Sequence, residues 1–229
     1  MNVRIVLVGG WEFMKDDGID EEISKLAGGK MLLIPEASKF PEKQVNRAIE
    51  IYKKYKTDVL LLEKDSQTIP EDIKVVYISG GQPEKLMEYF QNHQDFLKDI
   101  KNKWLKRKII ICGSSTGAMV PFKEMLAEDS RGRGNTNLIP ALNFIKNNVV
   151  AIPHWNEQNG SQEWRDKFVE NHKEKLLIAI DEYTSLFWGD SEAKVIGLGT
   201  VNIIINKNME RYENNQVINN IHLLTENEK

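Results

Sequence analysis

The sequence predicts an α/β protein in which helices cover both faces of a mainly parallel sheet. Short, nearly continuous hydrophobic segments alternate with longer amphipathic ones, as expected for strand–helix–strand units with a buried sheet. The length of 229 residues suits one large domain with its own core. The composition, 41% hydrophobic and 28% charged, is that of an ordinary globular protein. We therefore expect a single domain over residues 1–229, a three-layer α/β/α sandwich with antiparallel strands at a sheet edge.

In chain order, hydrophobic runs predict strands, and apolar residues spaced three and four apart predict helices. The predicted strands are residues 3–8, 31–34, 59–62, 75–79, 109–112, 149–152, 176–180, 184–188, 194–198 and 201–205. The predicted helices are residues 19–26, 42–55, 84–90, 94–108 and 162–173. The strands 184–188, 194–198 and 201–205 are short and separated by glycines, which favours an antiparallel edge. Residues 128–137 are expected to form a polar loop, and the end from about Glu213 to fray.

Charge and composition argue against several classes of function. The net charge is −3 and the isoelectric point about 5.9, so no overall charge attracts the protein to nucleic acid or anionic lipid. No run of 18 apolar residues occurs, and residues 1–10 read as a strand rather than a signal peptide. The single cysteine, Cys112, excludes an internal disulfide and suits a reducing compartment. We expect a cytoplasmic protein without metal or cofactor, since no histidine pair has zinc-ligand spacing.

A G-x-S-x-G pattern carries the first indication of chemistry. Residues 109–118 read IIICGSSTGA, an apolar strand followed by Gly113, Ser115 and Gly117 at the pattern positions. This is typical of a nucleophile elbow, a sharp strand-to-helix turn that exposes a serine. Ser115 is the candidate nucleophile. The alternative is a simple glycine–serine turn between strand and helix.

A second glycine pair, Gly80 and Gly81, follows the strand predicted at residues 75–79. Glycines allow close backbone approach and free orientation of N–H groups, which an oxyanion hole requires. The N–H groups of Gly81 and Thr116 are the candidate oxyanion donors. Read alone, the pair could equally be a turn that leads into a helix near Pro83.

A serine nucleophile needs a base, and His154 is the best candidate of the four histidines because it follows the strand at residues 149–152. A third residue should orient the imidazole and stabilise its charged form. Asp129 is named for this position, with Glu128, Asp181 and Glu182 as acidic alternatives.

Together these segments resemble the serine peptidase family that includes aspartyl dipeptidase (peptidase E) and cyanophycinase, within the class I glutamine amidotransferase-like superfamily. The matching segments are YISGGQ at 77–82, CGSSTGAM at 112–119, NLIPAL at 137–142, VVAIPHW at 149–155, AIDEYTSLFW at 179–188 and VIGLGTVNII at 195–204. The resemblance implies a flavodoxin-like α/β/α fold and hydrolysis of short acidic peptides or isopeptides through an acyl-enzyme. It implies Ser115 as nucleophile, His154 as base, and Gly81 and Thr116 as oxyanion donors. The family's acid would fall at Ser130, one place beyond Asp129.

The resemblance also raises the question of how a small peptide would be held. An acidic dipeptide needs a cation for its side chain, for which Arg131, Arg133 and Arg165 are candidates. Glu182 is the candidate acceptor for the free amine. Gln82 replaces an asparagine that is common in the dipeptidases and lies close to the expected substrate. These candidates are Arg131, Arg133, Arg165, Glu182 and Gln82.

The function expected from the sequence is therefore a serine hydrolase that cleaves a small peptide or isopeptide bond, next to an acidic residue. A glutaminase is disfavoured, because the superfamily's amidotransferases carry a glutamate two residues after the histidine, where this chain has Asn156. The main alternative is a ligand-binding or regulatory protein that keeps the fold without catalysis. An esterase is a lesser alternative. The expected partner is a small peptide, and a homodimer is compatible with this interpretation.

Overall fold

A computed structural model of the protein describes residues 1–11, 13–14, 18–62, 67–127, 135–145, 148–156 and 161–221. Its helices are α1 (Ile19–Ala27), α2 (Pro41–Lys54), α3 (Pro83–Asn92), α4 (Gln94–Leu105), α5 (Thr116–Met119) and α6 (Gln162–Asn171). Its strands are β1 (Ile5–Val8), β2 (Lys30–Ile34), β3 (Asp58–Leu61), β4 (Val75–Ile78), β5 (Ile110–Ser114), β6 (Glu124–Leu126), β7 (Leu138–Pro140), β8 (Val149–Ile152), β9 (Leu176–Ile180), β10 (Thr184–Trp188), β11 (Glu192–Gly197), β12 (Val201–Ile205), β13 (Asn208–Tyr212) and β14 (Val217–Asn219). The predicted α/β class is confirmed.

The main sheet has the strand order β14-β11-β10-β1-β5-β4-β2-β3. The pairs β1–β5, β5–β4, β4–β2 and β2–β3 are parallel, whereas β1–β10, β10–β11 and β11–β14 are antiparallel. The carboxyl ends of β1, β5 and β4 therefore lie side by side at one edge of the sheet. Open α/β sheets bind their ligands at this edge.

The two faces of the main sheet bury alternate residues of the same strands. On one face, Val6, Met31 and Val75 pack against α1 and α2. On the other face, Ile5 and Val76 pack in a second core that also contains residues of α3, α4 and the strands β8 and β9. Every residue of β1 and β4 is buried, which explains their continuous hydrophobicity.

A second sheet, of order β13-β12-β9-β8, was not predicted. Residues 201–205 were expected at the edge of the main sheet, but β12 pairs antiparallel with β9 instead. The hydrophobic pattern identifies a strand correctly without specifying its partner, because any neighbouring strand can bury the same face. Only β10 and β11 of the three expected edge strands join the main sheet, where β14 extends them.

Two further expectations about local structure are wrong. The end predicted to fray from Glu213 contains β14, which pairs with β11 through Lys194 and Val217, while residues 222–229 lie outside the described residues. Helix α4 ends at Leu105 rather than at 108, because the chain turns at Arg107, where φ is 58°. No helix in the described part of the chain has both the length and the apolar character needed to cross a membrane.

Candidate active site

Ser115 occupies a strained turn directly after β5. Its backbone has φ 52° and ψ −112°, a left-handed value of φ that a non-glycine residue rarely adopts. Its N–H donates to the carbonyl of Val8 (3.0 Å), and its own carbonyl accepts from Ala118 (3.0 Å). This geometry supports the predicted nucleophile elbow, although the helix that follows is only the single turn α5.

The two glycines of the pattern are required by close packing rather than by the turn itself. A Cβ at Gly113 would lie 2.0 Å from the carbonyl oxygen of Gly117, and a Cβ at Gly117 would lie 2.0 Å from the carbonyl oxygen of Ile78. Any side chain at these positions would push the elbow away from β4 and β5. The pattern therefore has glycine at positions 113 and 117 because the backbone packs too closely there for any side chain.

His154 lies two residues after the end of β8 and faces Ser115. Its Nε2 lies 3.0 Å from the Ser115 hydroxyl oxygen, and its Nδ1 lies 2.7 Å from Oε1 of Glu182. A carboxylate can only accept, so Nδ1 donates to Glu182 and Nε2 is left to accept the proton of Ser115. The imidazole therefore has the orientation and tautomer of a general base.

Glu182 lies where the chain passes from β9 in the second sheet to β10 in the main sheet. Its exposed fraction is 4%, and its N–H donates to Oδ1 of Asn156 (3.0 Å). The neighbouring Asp181 accepts from the N–H (2.9 Å) and the hydroxyl (2.8 Å) of Thr200. These contacts fix the short segment between β9 and β10, and so they hold the carboxylate against His154.

Among the described residues, the acid in contact with His154 is Glu182, which the sequence offered as an alternative acid and as a ligand for the substrate amine. Its contact with His154 points to the first role. Asp129 and Glu128, as well as Arg131 and Arg133, lie outside the described residues, so their predicted roles stay predictions. Asp181 was a third alternative, and its contacts with Thr200 give it a structural role instead.

The candidate oxyanion donors lie on adjacent strand ends that a hydrogen bond joins. The Thr116 hydroxyl donates to the carbonyl of Gly81 (2.6 Å), and the N–H of Gln82 donates to the carbonyl of Ala37 (2.8 Å). The peptide unit between Gly81 and Gln82 is therefore held on both sides. The β-branched Thr116, completely buried, ties the glycine turn to the elbow.

Sequence analysis did not identify Gly9 and Gly10, the glycine pair after β1, as part of the site. The carbonyl of Gly9 accepts from the N–H of His154 (2.8 Å), which joins the main sheet to the second sheet. A Cβ on Gly10 would lie 2.1 Å from Cε1 of His154, so the imidazole packs directly on this glycine. The signal was present in the sequence, because Gly9 and Gly10 end a buried strand just as Gly80 and Gly81 do.

An open cavity of about 220 Å³ lies beside Ser115 and His154. Its other lining residues are Trp11, Met14, Gln44, Arg47, Gly80 and Gly81. The ring of Trp11 stacks on that of Tyr183, with the ring centroids 6.5 Å apart. Sequence analysis missed Gln44 and Arg47, because a surface helix such as α2 gives no pattern that marks one polar residue as part of a site.

Arg165 and Gln82 are not among the described residues that line this cavity. The guanidinium of Arg165 lies over the ring of Trp155, 5.2 Å from its centroid, and donates to the carbonyl of Asn156 (3.3 Å). Gln82 precedes the first residue of α3. Arg165 therefore supports the segment that carries His154, and its predicted contact with substrate stays a prediction, as does that of Gln82.

A metal would need a cluster of suitable ligands. Within the described ranges, no group of three or more His, Cys, Asp or Glu side chains is placed to hold a metal ion. The described residues bring together the Ser115 hydroxyl, the His154 imidazole and the Glu182 carboxylate at this site.

The fold and the site together define a mixed α/β protein with a serine–histidine–glutamate arrangement at the carboxyl edge of its sheet. A profile for Peptidase family S51 matches residues 5–196, which contain all three residues. The protein belongs to this peptidase family, and the predicted family resemblance is confirmed.

Solved structures share the fold. A peptidase from an acI-B1 Actinobacterium superposes with a TM-score of 0.72 at 20% identity, covering 94% of this chain and 96% of the other. A Listeria monocytogenes EGD-e protein, assigned provisionally as a peptidase E, superposes with a TM-score of 0.58 at 16% identity, covering 85% and 98%. At these identities the likeness concerns the fold alone. A search of curated proteins finds no match.

Proposed function

We propose that the protein is a serine peptidase that cleaves a small peptide or isopeptide bond next to an acidic residue, in the cytoplasm. The observation that carries the proposal is the continuous hydrogen-bonded series from Ser115 Oγ to His154 Nε2 (3.0 Å) and from His154 Nδ1 to Glu182 Oε1 (2.7 Å). Membership of a peptidase family supports the same reaction.

In the acylation step, Ser115 Oγ attacks the carbonyl carbon of the scissile bond while its proton passes to Nε2 of His154. Glu182 stabilises the imidazolium that forms, and the N–H groups of Gly81 and Thr116 are the proposed donors to the oxyanion. The imidazolium then gives its proton to the leaving amine, the C–N bond breaks, and an ester to Ser115 remains.

In the deacylation step, a water molecule takes the place of the amine. His154 removes a proton from this water, whose oxygen attacks the ester carbonyl, and the proton returns to Ser115 as the carboxylic acid product leaves. The cavity of about 220 Å³ is smaller than the roughly 300–1,000 Å³ of common small-molecule sites. The part of the substrate that enters this cavity is therefore small.

The first test is covalent labelling with a small fluorophosphonate, read by intact mass. The wild-type protein should gain one adduct, and Ser115→Ala should gain none. Turnover of short acidic dipeptides such as Asp-Leu should fall at least about 10³-fold in Ser115→Ala, since loss of the nucleophile removes the covalent route. An unlabelled serine in a folded protein that still binds peptides would favour the non-catalytic alternative.

A second pair of variants tests the third member of the triad. Glu182→Gln keeps the size of the side chain and removes its charge, so we expect a loss of kcat of about 10²–10⁴-fold. Asp129→Asn is the matched control, since Asp129 was the acid named from the sequence, and it should keep near-wild-type kcat. The reverse result would return the role to Asp129.

A further inference from the structure

Arg47 lies on α2, in the wall of the cavity that contains Ser115 and His154. We infer that Arg47 binds a carboxylate group of the substrate, an inference that rests on the proposed peptidase function. Gln44, three residues earlier, lines the same cavity. Residues three apart share a face of a helix, so α2 contributes both an arginine and a glutamine to the lining of the cavity.

The charge of the cavity supports this assignment. Arg47 is half-buried, and within the described residues no hydrogen bond or ion pair engages its side chain. None of the described residues that line the cavity is acidic. A guanidinium offers paired N–H donors in a planar fork, which matches the two oxygens of a carboxylate.

Other cations of the same helix differ from Arg47 in position. Lys43 and Lys54 are exposed and do not line the cavity in the described part of the chain. A cation placed on α2 only for solubility would have no reason to line the same cavity as Ser115. This difference makes Lys54→Gln a matched control, because it removes one positive charge from the same helix.

Two apolar lining residues indicate what the rest of the substrate meets. Trp11 and Met14 line the cavity with 40% and 43% of their surfaces exposed. Exposed large apolar side chains beside polar groups are typical of ligand sites. The substrate inferred from these walls has a carboxylate for Arg47 and an apolar portion for Trp11 and Met14.

Two parts of a dipeptide could supply this carboxylate. One is the acidic side chain of the residue that acylates Ser115, and the other is the terminal carboxylate of the leaving residue. Asp-Leu-amide carries only the first, Ala-Leu carries only the second, and Ala-Leu-amide carries neither. Comparing these three peptides identifies the source.

The experiment measures binding of each peptide by calorimetry to protein carrying Ser115→Ala, so that no substrate is consumed. We expect one or both of the carboxylate-bearing peptides to bind more tightly than Ala-Leu-amide. Adding Arg47→Gln should weaken that binding at least about tenfold, the scale of a charge-assisted hydrogen bond. Adding Lys54→Gln should change it less than twofold, and Ala-Leu-amide should respond to neither substitution.

Equal binding before and after Arg47→Gln would overturn the inference. So would a preference for Ala-Leu-amide, or no detectable binding of either carboxylate-bearing peptide at millimolar concentration. Thermal unfolding of each variant shows whether the fold is kept, and Arg47→Lys provides a second variant that keeps the charge and loses the fork. Because binding is measured without turnover, these outcomes are separate from failure of fluorophosphonate to label Ser115, which would overturn the proposed function instead.

Discussion

Replacing Gly10 by alanine should lower the activity of the site although Ser115, His154 and Glu182 all remain in place in the sequence. A Cβ at this position would lie 2.1 Å from Cε1, 2.6 Å from Nε2 and 2.7 Å from Nδ1 of His154. Real Cβ atoms essentially never come closer than 3.0 Å to another heavy atom. The imidazole must therefore move, since all three of these close contacts are atoms of its ring.

The size of this movement follows from the distances. Ordinary van der Waals contact begins at 3.4 Å, so Cε1 must retreat from 2.1 Å by about 1.3 Å. The hydrogen bonds of His154 to Ser115 and Glu182, at 3.0 Å and 2.7 Å, cannot both survive such a shift. Misplacement by about 1 Å can cost roughly 10²-fold in rate, so we expect kcat/KM to fall by about that factor or more.

The assay is the rate of Ser115 labelling by fluorophosphonate together with hydrolysis of Asp-Leu. Gly10 also has a φ of 126°, so alanine adds backbone strain that could lower stability. Gly29→Ala is the matched control, because Gly29 has a φ of 109° and nothing lies within 4 Å of its added Cβ. Urea unfolding should show a loss of stability for both variants, and a larger loss for Gly10→Ala because its Cβ also collides with the His154 ring. A wild-type labelling rate in folded Gly10→Ala would refute the packing role assigned to this glycine.

Two further predictions concern the surroundings of the site. Asn156→Ala removes the acceptor of the Glu182 N–H (3.0 Å) and should lower kcat by up to about tenfold with little change in KM. Asn156→Asp keeps an acceptor oxygen and should recover part of the loss, and equal kcat in Asn156→Ala and wild type would show that Asn156 does not position Glu182. Burial and the nearby Asp20 raise the pKa of the Cys112 thiol. A disulfide reagent at pH 8 should therefore label this one cysteine slowly in the native protein and promptly in denaturing urea. Rapid labelling of the native protein would contradict the burial of Cys112.

The parallel strands were predictable because their continuous hydrophobicity reflects burial on both faces of the sheet. Buried segments such as β1 and β4 are hydrophobic throughout, and amphipathic segments between them can only be covering helices. Ser115 and His154 could be named as candidates because each lies just after a buried hydrophobic strand. Their proximity was not implied by the sequence, since β5 belongs to the main sheet and β8 to the second sheet, and only the packing of the two sheets brings the side chains together.

Glu182 could not be chosen from the sequence over Asp129, Glu128 or Asp181. All four are acids in connecting segments, and only the passage of the chain from β9 to β10 places one carboxylate 2.7 Å from His154. The second sheet could not be predicted for a similar reason, since the hydrophobic pattern of β12 would suit a strand in either sheet.

The sequence by itself determined the parallel strands of the main sheet, the helices between them and the candidates for nucleophile and base, because these depend on local spacing and on hydrophobic periodicity. Tertiary structure decided which acid meets the imidazole, that Gly10 packs against its ring, and that Arg47 lines the cavity beside Ser115. These are contacts between residues far apart in the chain, set by how two sheets and a helix pack together, and no local pattern encodes such a distance.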